Sequence, residues 1–88
     1  MIHYLRKKDL EWSASSLEDM AALDKGVARR IQRAIERFAE TEAGNVKRLQ
    51  GIDPREYRLR IGDWRVPFAV GAGTILVMRV LNRKNAYR

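Results

Sequence analysis

The chain has 88 residues, of which 45% are hydrophobic and 33% charged, with a formal net charge of +7. That length holds one domain rather than two, so a single domain over 1–88 is expected, and the composition is that of a globular chain rather than a disordered one. The absence of cysteine excludes disulfides and thiolate metal sites, the lone histidine, His3, argues against a histidine metal centre or histidine base, and the charge excess points to a polyanion, either nucleic acid or an acidic protein segment.

No apolar run approaches the roughly 20 residues needed to span a bilayer. The opening MIHYLRKKDL lacks the long apolar stretch of a secretory leader. A cytoplasmic protein with no membrane association is expected.

A first strand is predicted within residues 2–13, with Leu10 and Trp12 on one face, although Arg6-Lys7-Lys8-Asp9 interrupts its pattern. Ser15 followed three residues later by Glu18 matches a capping box, and Asp19 adds negative charge to the first turn of the helix it opens. Leu17, Met20, Ala21 and Leu23 form that helix's apolar side. Asp24-Lys25-Gly26 breaks it, with Asp24 suited to cap the next. In the second helix Val27, Ile31, Ala34, Ile35 and Phe38 fall at helical spacing and make one apolar stripe. Arg29, Arg30, Arg33 and Arg37 occupy the remaining surface, partly offset by Glu36 and Glu40. The helix is expected to end near Thr41–Gly44, with Gly44 or Asn45 as the stop. The short break between the two helices implies an antiparallel helical hairpin.

After Asn45 the period changes. Val46-Lys47-Arg48-Leu49 reads as short and extended or irregular, and Asp53-Pro54 as a turn. Strands are predicted at 56–61, 64–70 and 74–81, joined at Gly62-Asp63 and at Gly71-Ala72-Gly73, the first suited to a type II′ turn. The order gives an α+β domain: an N-terminal strand, an antiparallel two-helix hairpin, then an antiparallel β-meander, with the helices on one face of a small sheet.

The hairpin YRLRIGDWRV fixes more. A two-residue loop sets Ile61 opposite Trp64, Arg60 opposite Arg65, Leu59 opposite Val66 and Tyr57 opposite Phe68. Alternation then puts those apolar residues on the core side and Arg58, Arg60 and Arg65 on the other. A loop over Gly71–Gly73 pairing Val70 with Thr74 would set Arg65 beside Arg79, with Arg83 in the same parity just beyond, and would turn Ile75 and Val77 to the arginine side with Pro67 and Ala69. Pro67 removes a ladder N–H, and a one-residue bulge there would reverse the later assignments. Like charges opposed in a sheet are destabilising. Such a row is either a solvated face with splayed side chains or a site for an anion, for which the planar fork of arginine is well suited.

Taken together, LEWSASSLEDMAAL, VARRIQRAIERFAE, NVKRLQG, YRLRIGDWRV and ILVMRVLNRKNAYR resemble, in order and spacing, the RelE/ParE superfamily of type II toxin–antitoxin toxins. The resemblance covers nearly the whole chain and is better to the RelE branch, small ribonucleases that cut messenger RNA on the ribosome, than to the ParE branch, which inhibits DNA gyrase. It implies catalytic roles for Arg65, Arg83 and Tyr87, and RNA or phosphate contacts from Arg58, Arg60, Arg79, Lys84, Lys47 and Arg48. Cleavage by the RNA's own 2′-hydroxyl needs that oxygen deprotonated, the phosphorane charge stabilised and the 5′-oxygen protonated. Arg65 and Arg83 suit the second task. Tyr87 suits the first, or stacking on a base, unless it is a terminal aromatic covering Ile75 and Val77.

Two departures stand out. Relatives place a lysine base where this chain has Arg58 and Arg60, and arginine stays protonated. Lys84 is one substitute. Asn82 stands where many relatives have histidine. The resemblance implies no metal or organic cofactor, since the cations are side chains. Its partners are the ribosome and mRNA, and a cognate antitoxin supplying an acidic amphipathic segment. A non-catalytic gyrase inhibitor and a basic RNA-binding module are the competing readings.

Overall fold

The computed structural model describes residues 8–49 and 55–86. The elements run β1 (Asp9–Trp12), α1 (Ala14–Ala21), α2 (Lys25–Thr41), β2 (Asn45–Arg48), β3 (Arg55–Ile61), β4 (Trp64–Gly71), β5 (Thr74–Val77), β6 (Leu81–Asn82) and a single helical turn, α3 (Arg83–Ala86). The α+β order expected from the sequence is the one found.

The apolar stripe of α2 makes the helical half of the core. Ile31, Ile35 and Ala39 are buried against Leu59, Val66, Phe68, Ile75, Val77 and Val80 from the sheet side. Leu10, Trp12, Met20, Leu23, Val27 and Phe38 pack around them. Strands lie in the order β1-β5-β4-β3-β2, and β6 pairs with β4 beyond the end of β5. The sheet is mixed, because β1 runs parallel to β5 with Leu10 opposite Ile75 and Trp12 opposite Val77.

Helix ends differ from the sequence expectation. The cap of α1 is Ser13, not Ser15: its side chain accepts from the Ser16 N–H at 3.0 Å, and its hydroxyl donates to the Met78 carbonyl at 2.7 Å. A cap that also bridges to the distant segment after β5 wins over one that satisfies only local donors. The helix therefore begins earlier, and Leu17 is left 55% exposed rather than facing the core. Asp24 sits at the cap of α2 without a side-chain hydrogen bond. At the far end the residue in the left-handed region is Glu42, with φ 61°, and neither Gly44 nor Asn45 is the cap. Gly44 serves packing instead, since a Cβ there would come within 2.8 Å of Leu59 Cδ1.

The first hairpin has the predicted register throughout, from Ile61 opposite Trp64 to Tyr57 opposite Phe68. Gly62 has φ 59° while Asp63 stays at negative φ, the pattern of a type II′ turn. The second hairpin does not. Gly71, not Val70, faces Thr74, so the loop is Ala72-Gly73 and every later residue changes side. Ile75 and Val77 are consequently core residues, 2% and 0% exposed, and Leu76 is the residue turned outward. A bulge follows. Phe68 faces Val77 and Arg65 faces Leu81, so Val66 and Pro67 of β4 span three residues, Met78, Arg79 and Val80. Pro67 contributes its carbonyl, which accepts from the Met78 N–H at 2.9 Å. The extra residue restores a pairing that sets Trp64 opposite Asn82.

Candidate nucleic-acid interface

Alternation along β3 and β4 decides which side chains meet on the outer face of the sheet. Arg58, Arg60 and Arg65 share it, and β2 adds two residues of the same parity, Lys47 opposite Arg58 and Asn45 opposite Arg60. These five line one depression of about 170 Å³. Four are cationic, and Arg60 and Arg65 stand directly across from each other.

Arg65 is the unusual member. It is only 5% exposed, and its Nη1 donates to the Gly62 carbonyl at 3.1 Å and the Trp64 carbonyl at 3.3 Å. Burying a guanidinium is costly unless its donors are satisfied or a counter-charge is near. Among the described residues no carboxylate pairs with it, and its other nitrogens have no protein acceptor. Arg60 Nε donates to the same Gly62 carbonyl at 3.4 Å. The hairpin turn thus holds two arginines at once, with spare donors left for an incoming anion.

Arg83 joins the arrangement through the backbone. Its N–H donates to the Asp63 carbonyl at 2.7 Å, so the turn that holds Arg60 and Arg65 also anchors the start of α3. Arg83 and Lys84 line a second, open depression of about 800 Å³ with Asp63 and Asn82. Arg65 and Arg83 therefore border two depressions linked by the Gly62-Asp63 tip rather than one pocket. Tyr87 lies outside the described residues.

Two expected contacts are placed elsewhere. The altered register removes Arg79 from Arg65's side and gives it to Asp19 of α1. Arg79 Nε lies 2.8 Å from one carboxylate oxygen and Nη2 3.2 Å from the other, while the Val80 N–H donates to the same group at 2.8 Å. Partial burial of Asp19 opposes its charged form, but the Arg79 guanidinium and the Val80 N–H outweigh it and hold the carboxyl below its ordinary range. The Arg79 guanidinium, bonded to that carboxylate, is held above its ordinary value. Asp19 was legible only as first-turn charge, because its partner lies sixty positions away. Arg48 faces Tyr57, the parity opposite to Lys47, and does not line the depression. Asn45, read from the sequence only as a helix stop, does line it. Recognising 45–48 as a strand would have found it, two residues before Lys47.

A family model described as the ParE toxin of the type II toxin–antitoxin system parDE matches residues 10–87. The chain belongs to the RelE/ParE superfamily of type II toxin–antitoxin toxins. Toxin RelE3 of Methanocaldococcus jannaschii is 29% identical over 76 residues, covering 81% of this chain and 85% of that protein. Among solved structures, the RelB–RelE antitoxin–toxin complex from Methanococcus jannaschii is similar with a TM-score of 0.72 and 25% identity, over 88% of this chain and 94% of that chain. The archaeal RelE–RelB complex from Pyrococcus horikoshii OT3 is similar with a TM-score of 0.75 and 20% identity, over 89% and 97%. No described helix is long and apolar enough to cross a membrane.

Proposed function

We propose that this toxin is of the RelE type: an endoribonuclease that cuts messenger RNA on the ribosome and is neutralised by a cognate antitoxin. The observation that carries the reading is Arg65, a buried guanidinium without a carboxylate partner among the described residues, bordering a depression walled by Lys47, Arg58 and Arg60. That arrangement costs stability in the free protein and is repaid when a phosphodiester enters. Arginine forks donate paired hydrogen bonds to phosphate oxygens, and preorganised donors stabilise the extra charge of the phosphorane more than that of the ground state. The likeness to RelE toxins supports the same branch.

The roles assigned are charge stabilisation by Arg65 and Arg83, RNA backbone contact by Arg58, Arg60, Lys47 and Lys84, and 2′-hydroxyl or base contact by Tyr87. Arg48 and Arg79 have no part in the depression. An antitoxin partner is supported by the complexes among the structural neighbours. The net charge of +7 suits an acidic segment on that partner. The test is a translation reaction followed by primer extension. New 5′ ends that require both ribosomes and this protein support the reading.

A second reading has its own support, since the matching family model is described by its ParE members. Inhibition of DNA supercoiling by gyrase, with messenger RNA left intact, would establish it.

A further inference from the structure

We infer that Lys47 is the group that takes the proton from the 2′-hydroxyl, supplied to the arginine depression from β2 rather than from β3. The inference rests on the ribonuclease reading above and assigns a catalytic residue within that site.

The depression offers few candidates. Among the described residues its lining is Asn45, Lys47, Arg58, Arg60 and Arg65. Arginine is never deprotonated in a protein, and the carboxamide of asparagine is no base. Lysine alone among these side chains exists in a neutral form with a free lone pair. The described acids do not line this depression, and the only described ion pair, Asp19–Arg79, joins α1 to the bulge.

Placement follows from register. Lys47 is directly opposite Arg58, and Asn45, two residues earlier on the same side, is opposite Arg60. A β-strand's alternation then sends Lys47 to the face that carries the arginines, while its neighbours Val46 and Arg48 take the parity of Leu59 and Tyr57. The charged groups facing Lys47 are Arg58 and Arg60 from β3 and Arg65 from β4. Since β2 is the edge strand of the described sheet, no further strand flanks Lys47 on its outer side. An exposed edge position also lets the amine exchange its proton with water between turnovers.

The step balances without a co-reactant. Neutral Lys47 Nζ accepts the 2′-hydroxyl proton as the 2′-oxygen bonds to phosphorus. The phosphorus–5′-oxygen bond breaks, and the leaving 5′-oxygen takes a proton from water. The products are a 2′,3′-cyclic phosphate and a 5′-hydroxyl, and Lys47 returns its proton to solvent.

The test compares wild type with Lys47→Arg in the full chain, measuring the single-turnover cleavage rate of ribosome-bound messenger RNA across pH. A parallel measurement follows binding of an RNA oligonucleotide carrying a 2′-deoxy sugar at the cut site. Lys47→Arg keeps the charge but cannot accept a proton. The expected result is a loss of about 100-fold or more in rate, disappearance of the pH-dependent limb of the wild-type profile, and oligonucleotide binding within about twofold of wild type, as for one cation replaced by another. Preserved binding also shows that the variant folds. A Lys47→Arg rate and profile matching wild type would overturn the assignment while leaving the ribonuclease reading intact. Wild-type protein that cuts no messenger RNA on ribosomes would remove the reading and the assignment together.

Discussion

Arg60 and Arg65 face each other across the first hairpin and donate to one oxygen, the Gly62 carbonyl, from 3.4 Å and 3.1 Å. Two positive side chains converge on a single neutral acceptor. The turn holds them in place without neutralising them, which leaves a strong positive field over the adjacent depression.

Such an arrangement should cost stability. Replacing Arg65 by methionine removes a buried charge and its repulsion with Arg60 while keeping an unbranched side chain in the site. The exposed Gly62 turn is open to water, which can take over its carbonyl. We expect a gain of about 0.5–1 kcal/mol, equivalent to a rise of about 2–8 °C in Tm for a domain of this size. Thermal denaturation followed by circular dichroism checks it. A fall in Tm would show that the two carbonyl bonds outweigh the repulsion.

The Asp19 carboxylate makes stability depend on acid. Its folded-state pKa is lowered, so the stabilisation is fully present above the unfolded carboxyl value, near pH 4, and is lost as pH falls through the lower folded value. Asp19→Asn should therefore be less stable than wild type at neutral pH. The gap should begin to narrow below about pH 4, where the unfolded carboxyl becomes protonated, and should close as pH falls through the lower folded value. Urea midpoints measured from pH 7 to pH 2 test this. A gap that stays constant across the range would mean that the Arg79 contact contributes no pH-linked stability.

Ser13 and Ser15 separate the observed cap from the one expected. Ser13 caps α1 and also reaches the Met78 carbonyl, so Ser13→Ala should cost about 1–2 kcal/mol. Ser15 is exposed within the first turn, and Ser15→Ala should be neutral or slightly stabilising because alanine is the better helix former. Chemical denaturation of both variants distinguishes the two assignments, and a larger loss for Ser15→Ala would contradict the structure.

What could be read in advance follows from how local each signal was. The α2 stripe was legible because five apolar residues repeat at the helical period within a single helix. The first hairpin was legible because a Gly-Asp turn of two residues leaves one register, which fixed Arg58, Arg60 and Arg65 on a common face. The second hairpin was not. Gly71-Ala72-Gly73 accommodates a two- or a three-residue loop, and that single residue decides whether Ile75 and Val77 are core or surface. The bulge at Met78–Val80 depends on Ser13 and Asp19, which hold its carbonyl, guanidinium and N–H from sixty or more positions away. No local pattern announces such contacts. For the same reason Asn45 joined the site, and Lys47 gained its place opposite Arg58, only when β2 was found paired to β3.

In the proposed reading the buried guanidinium of Arg65, without a carboxylate partner among the described residues, serves a scissile phosphodiester. The most direct measurement is primer extension on messenger RNA from a translation reaction containing wild-type protein or Arg65→Met. Ribosome-dependent cuts are expected with wild type, together with their loss, by about 100-fold or more, in a variant that remains folded. Equal cutting by both proteins, or intact messenger RNA with wild type, would contradict it.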